Sequence, residues 1–259
     1  MWTKTKEKKY WIISVFTVAI IFALWHISTQ NEWVNTALIP PPQKVWRAFI
    51  ETCGGYKGYT LWQHIGISLK RMFSAMAAAL LTAVPLGLLC GFSPVVKAVF
   101  EPIIGFYKPL PPLAYYSLLI LLLGIGESSK ITLLFLAAFA PCYIACVSAV
   151  IKVNKNYLRA ACSLGANRWQ TFWFVMFPAC LPDVFMGIKT SFGVAYTTLV
   201  AAEMAAANAG IGWMVLDAKN WFRNDIIFLG IIVMAIMGIS IDVVLNLLEK
   251  KLIPWKGEG

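Results

Sequence analysis

The sequence predicts an all-α integral membrane protein with about six transmembrane helices, and three observations carry that prediction. Charged residues make up only 13% of the 259 residues, about half the roughly 25% of a soluble domain, because hydrocarbon does not solvate charge. Mean hydropathy is +0.71. Apolar runs recur at the length of about 20 residues that a helix needs to cross a ~30 Å core. Six such runs leave room for short connections and one or two longer loops. If ATP is used, a partner must supply the nucleotide site.

The first span is 11–28, charge-free and rich in Ile, Val, Phe and Trp. Basic Lys4–Lys9 ahead of it imitates a signal peptide, but the run is longer than a signal's apolar region and no small-residue cleavage site follows. A retained span is expected. After Pro40-Pro41-Pro42, an amphipathic segment puts Val45, Trp46, Phe49 and Ile50 on one face and Lys44, Arg47 and Glu51 on the other. That pattern suits a helix lying in the membrane interface.

The second span, 67–92, carries Gly87 and Gly91 at a spacing that lets helices approach closely. The third, 99–124, is interrupted by Lys108 and the run Pro109-Leu110-Pro111-Pro112. Prolines free backbone groups that need protein or water partners in lipid, so this part is expected to face the protein interior. A fourth span covers 131–151 and contains Pro141, a fifth covers 182–206, and a sixth covers 226–248, with turns at 124–127 and 210–212. The chain thus divides into an N-terminal span with its interfacial segment (1–66), a five-helix core (67–251) and a short tail (252–259).

The net charge of +10 lies in small clusters between apolar runs, which is how membrane proteins set orientation; no nucleic-acid partner is expected. With both termini inside, twelve Lys and Arg fall in inner segments and eight in outer ones, a modest bias of the expected sign. The six cysteines and two histidines show no metal-binding or redox spacing. Neither a nucleophile–base arrangement nor a phosphate loop is present, which argues against a membrane enzyme.

Residues 152–181 form the longest mixed polar segment, with Lys152, Lys155, Arg159 and Arg168. Leu158, Ala161, Leu164 and Gly165 fall at helical spacing, as do Trp169, Phe172 and Trp173; Gly165 separates the two stretches, and Pro178 and Pro182 are expected to end the second. Short helices with apolar faces are equipped to dock on a partner or to lie on the bilayer surface.

Arg159-Ala160-Ala161, three residues, Gly165, nine residues and Val175-Met176-Phe177-Pro178 resemble the EAA loop of bacterial ABC import permeases. Both alanines, the glycine and the proline match; Arg159 replaces the family's Glu. Further stretches resemble the taurine-transporter branch, including Tyr107–Ala114, Gly124–Lys130, Leu199–Met204 and Pro254–Glu258. The resemblance implies an ABC type I importer permease fold with a cytoplasmic coupling-helix loop, located in the bacterial inner membrane. It implies two permease copies, two ATPase subunits holding ATP and Mg, and a substrate-binding protein. No cofactor is expected in this chain. Taurine is the solute most implied, with alkanesulfonate, nitrate or bicarbonate as related alternatives. An ion-coupled secondary transporter is a rival that would leave the loop pattern unexplained.

The resemblance assigns Leu158, Arg159, Ala160, Ala161, Leu164, Gly165, Trp169, Phe172, Trp173 and Pro178 to ATPase coupling. Intramembrane ionisable residues are functional candidates because placing them there is costly. Lys108 and Glu203 therefore mark a candidate translocation path with Pro111, Pro112, Tyr115 and Tyr116. A cation and an anion complement a zwitterion such as taurine; the alternative is that the two pair with each other or with freed backbone carbonyls.

Overall fold

The computed structural model describes residues 4–255, with side chains at 13 and from 15 onward. Eleven α-helices follow in order among them: α1 (Lys4–Gln30), α2 (Pro42–Gly54), α3 (Leu61–Phe92), α4 (Pro94–Tyr107), α5 (Pro112–Leu123), α6 (Glu127–Lys152), α7 (Lys155–Ser163), α8 (Arg168–Gln170), α9 (Phe177–Ala206), α10 (Ile211–Asn220) and α11 (Asn224–Leu252). A π-helical stretch, Thr171–Met176, joins α8 to α9. No strand occurs among the described residues, which hold one isolated bridge, Tyr56–Tyr59.

Four helical stretches are long and apolar enough to cross a membrane: Leu61–Phe92, Glu127–Lys152, Arg168–Ala206 and Asn224–Leu252. The α4–α5 pair passes the same test when taken together and is bent by 97° at its break, the geometry of a broken span or a re-entrant loop. The described apolar part of α1, Val15–Gln30, is shorter than these. Residues 256–258 of the tail motif lie outside the described residues.

Several expectations need correction. The polar start of α3 is helical, so the helix reaches back to Leu61 and carries His64, Ser68 and Arg71. The turn at 210–212 opens a further helix, α10. Pro178 and Pro182 do not end the second loop stretch, which runs on into α9. Proline has no N–H to donate; Pro178 directly follows the π-helical stretch of this continuous helix, and Pro182 lies inside α9. The interfacial segment forms α2, in which Val45, Ala48 and Thr52 are buried while Trp46 and Ile50 of the apolar face are exposed on the single chain. Lys108–Pro111 is exposed on the single chain rather than interior, lying in the break between the end of α4 and the start of α5.

The chain divides into two compact units, 1–64 with 214–233, and 65–213 with 234–259. In the first, the Arg223 guanidinium bridges Glu51 (2.7 Å) and Asp225 (2.9 Å), and Tyr56 Oη donates to Asp217 (2.7 Å). Trp25 stacks on Phe228.

In the second unit α6 packs along α9, with α5 against both. Lipid tails are as apolar as leucine, so association in the membrane relies on close packing of small residues. The interior follows this rule: Ala75, Ala79, Ala138 and Ala195 are fully buried between α3, α6 and α9, and Ala202 is fully buried against Tyr116 and Leu133. Gly87 and Gly91 let α3 approach α6. A Cβ at Gly87 would lie 2.6 Å from Cys146 Cβ, and one at Gly91 2.6 Å from Val150 Cβ. Cys142 and Cys146 are buried packing residues of the same interface.

Candidate functional site

The loop after α6 is built as two rigid short helices. Asn154 Oδ1 caps α7, accepting from Asn156 N (2.9 Å). At its other end Gly165 adopts φ +81°, its N–H donates to Cys162 O (3.0 Å), and Ala166 N–H donates to Ala161 O (3.1 Å). This is a Schellman termination, which favours glycine at its left-handed residue. Two residues later Asn167 starts α8 with a capping box: Gln170 N donates to Asn167 Oδ1 (2.8 Å) and Asn167 N to Gln170 Oε1 (2.9 Å). The corner is therefore specified locally.

The loop's two faces differ. Ala161 and Met176 are buried, Leu158 and Phe172 are half-buried, and Phe172 packs edge-on against Phe92 (5.8 Å between ring centres) and near Phe177. Outward stand Leu164 at 89% exposure, Phe174 at 79% and Trp169 at 74%, with Trp173 and Tyr157 beside them. Arg159 and Ala160 are exposed, and Pro178 is half-buried in the first turn of α9. Between Glu127 and Asp183 the sequence has no carboxylate, whereas Lys130, Lys152, Lys155, Arg159 and Arg168 are cations. An outward surface of large apolar side chains with only positive charge among them fits a partner surface, or the polar–apolar boundary of a membrane.

At the other end of α6 and α9 lies a cluster of opposite character. Glu203, 1% exposed, accepts from Arg71 Nη1 (2.7 Å), Ser68 Oγ (2.8 Å) and Gly212 N (2.9 Å). Arg71 also forks onto Glu127 through Nε and Nη2, both at 2.6 Å, and donates to Ala209 O (2.7 Å). Lys130 Nζ completes it, 3.2 Å from Gly126 O and 3.4 Å from Glu127. Ile211 N donates to Ser68 Oγ (3.0 Å), so the N-terminus of α10 faces the carboxylate, a favourable placement for negative charge. One guanidinium thus ties together α3, α6, α9 and the loop entering α10. A second buried pair joins α9 to α11, where Lys189 binds Glu249 and Asn246 (2.5 Å).

The predicted path residues divide. Lys108, Pro112 and Tyr115 line a cavity of about 230 Å³ at the α4–α5 bend, together with Tyr107, Pro141 and Val194. Pro111 caps α5 beside it, exposed. Tyr116 is buried against Leu133 and Ala202. Glu203 pairs with Arg71 rather than Lys108. Sequence reasoning missed Arg71 and Ser68 as partners of Glu203 and Glu127 as the second partner of Arg71, and it missed Phe174 and Tyr157 on the loop. An intramembrane carboxylate demands a cation, but Arg71 lies 132 residues away, with no local signal connecting the two.

Residues 83–254 match the family described as binding-protein-dependent transport system inner membrane component. The chain belongs to this family. It is therefore a membrane-spanning importer permease with the type I ABC importer fold. It is 40% identical to the taurine transport system permease protein TauC of Escherichia coli (strain K12) over 248 residues, 95% of this chain and 90% of that protein. It is 31% identical over 254 residues to a Bacillus subtilis (strain 168) permease protein, SsuC, named for aliphatic sulfonates transport, covering 98% and 91% of the two chains. It is 28% identical over 245 residues to the nitrate import permease protein NrtB of Synechocystis sp., covering 92% and 87%. The family match spans the α3–α6 interface, the loop and the buried charge cluster's Glu127 and Glu203.

Proposed function

We propose that this permease imports a small organosulfonate, taurine first, driven by a partner ATPase that docks on the loop between α6 and α9. The observation that carries the ATPase reading is the outward surface of Leu164, Trp169, Trp173 and Phe174, held by a corner rigid enough to transmit a push. Closing of the ATPase dimer on ATP would move this corner as a lever and rock α6 and α9 between inward and outward access. The loop then lies on the cytoplasmic side, with both termini inside, an arrangement favoured by the excess of cations in those segments. A second copy of the chain completes the path and covers apolar surface such as Phe106 and Leu121, exposed on the single chain. A substrate-binding protein delivers the solute from outside.

The taurine assignment leans on similarity to TauC, and the relatives SsuC and NrtB support a related anion as the second reading. The test is uptake by the chain reconstituted in liposomes with its ATPase and binding protein, using labelled taurine, an alkanesulfonate and nitrate in competition. Taurine is expected to be taken up fastest. Uptake of nitrate with no sulfonate transport would move the assignment to the second reading.

A further inference from the structure

The membrane-spanning part of α9 carries a polar stripe that faces out of the single chain. Thr190, Gly193 and Thr197 follow one another at helical spacing, and all three are exposed. Glycine weakens a helix relative to alanine, and Gly87, Gly91 and Gly187 are each pressed by a neighbour that a Cβ would strike. Gly193 is not: a Cβ there would meet nothing within 4 Å. It lines a cavity of about 110 Å³ between α9 and α11, whose walls also include Lys189, Phe192, Tyr196 and Asp242. A water takes ~30 Å³ of liquid, so the volume admits an ammonium group and the carbons next to it. Asp242 is the charge on this wall that the fold leaves open. It is exposed and lies ten residues before the end of α11, about 15 Å along the helix. Lys189 answers Glu249 and Asn246, and Asn246 Nδ2 donates to one Asp242 oxygen (3.0 Å). No cation pairs with Asp242 among the described residues. A carboxylate in a membrane span is costly against lipid, and aromatic walls beside it favour an ammonium.

We propose that this cavity receives the ammonium end of a zwitterionic aminosulfonate in transit, with the ammonium on Asp242 and Gly193 keeping the space open for it. The proposal rests on the sulfonate-import reading and deepens it, because it names the group that tells an aminosulfonate from a plain sulfonate. Glu203 does not supply that charge, since Arg71, Ser68 and Gly212 fill its acceptors. An exposed carboxylate holds a cation weakly, which suits a solute that must leave.

The experiment compares taurine with ethanesulfonate, which lacks the amine, in liposomes carrying the complete transporter. Rates are measured at saturating binding protein, so that its own affinity for solute drops out. Asp242→Asn conserves shape and is expected to slow taurine about tenfold while leaving ethanesulfonate unchanged, with Asp242→Glu restoring most of the taurine rate. Gly193→Leu fills the cavity and is expected to slow taurine about tenfold, although its melting temperature holds or rises because a better helix former enters open space. Gly193→Ala should assemble normally and slow taurine severalfold. An unchanged taurine-to-ethanesulfonate ratio in Asp242→Asn, or wild-type taurine uptake in Gly193→Leu, would overturn the subsite. A Gly193→Ala chain that no longer assembles would overturn it too, by assigning the glycine to contact with a second copy. Should ethanesulfonate not be carried at all, the taurine rates of Asp242→Asn and Gly193→Leu decide. A wild-type transporter that moves neither sulfonate would instead remove the sulfonate reading, and the subsite's ligand with it.

Discussion

The two ends of α6 and α9 treat polar and apolar groups in opposite ways. At the Glu127 end the buried charges answer one another: Arg71 meets Glu127 and Glu203, Lys130 meets Glu127, and the N–H groups of Gly212 and Ile211 donate to Glu203 and Ser68. At the Lys152 end the chain keeps its large apolar side chains outward and its cations unanswered by any nearby carboxylate in sequence. Both regions have a well-defined geometry, long-range at the first end and local at the second. They differ in whether the specification closes on itself. A region that does so holds the fold, whereas one that presents a rigid, unsatisfied surface is made for something else to complete.

The largest expected effect breaks the closed end. Arg71→Ala leaves Glu203 buried without its cation, and removing one partner of a buried pair costs about 3–5 kcal/mol. Purified yield and melting temperature should fall sharply, with the double variant Arg71→Met, Glu203→Leu recovering much of the loss because it buries no charge. Equal damage from single and double variants would show that the pair does more than hold helices. An intermediate effect addresses the open end. Replacing Leu164, Trp169 and Phe174 with Ser should leave the unfolding free energy of the isolated chain within about 0.5 kcal/mol of wild type per site, as for exposed substitutions, while co-purification of the ATPase falls by an order of magnitude or more. If the triple variant instead unfolds the chain, the surface belongs to the fold.

The smallest effect lies in the first unit. The Arg223 guanidinium beside Glu51 holds its carboxyl below the ordinary carboxylate value of 4.5. A depressed folded value stabilises the protein above the unfolded value, and that contribution disappears as pH falls through the folded one. Glu51 is half-exposed, so solvent screening limits the effect to a few tenths of a kcal/mol. Glu51→Gln should lower the melting temperature slightly at pH 7 and by progressively less as pH falls below the carboxylate range, measured in detergent.

Most of the spans were legible because apolar runs are a local signal, as were the close-packed Gly87 and Gly91 and the turn at Gly165. Three kinds of feature were not. Helix α10 is only ten residues and mixes Gly212, Trp213 and Asp217, so it has neither length nor a clean apolar stripe. The α4–α5 bend was legible as a break, but its exposure depends on which helices cover it, and no residue at the break encodes that. Glu203 stood out as an intramembrane charge, yet its partner was sought at Lys108 because both lie in apolar runs. Arg71 sits at the polar edge of α3, where a cation reads from sequence as facing the aqueous boundary; the fold turns it inward. On the loop, periodicity found the two helices but not which side faces out, so Phe174 and Tyr157 went unrecognised while Phe172, which packs inward, was included.

The central claim is that the open loop transmits ATP hydrolysis by a partner to transport. Gly165→Glu tests it most directly, because a side chain at φ +81° is strained and adds negative charge to a cationic corner, while open space around the glycine means that no packing clash arises. The measurement is ATP-driven solute uptake, taken alongside membrane insertion and melting temperature of the same protein. The account predicts normal insertion, near-normal stability and loss of most uptake. Wild-type uptake in Gly165→Glu would contradict it.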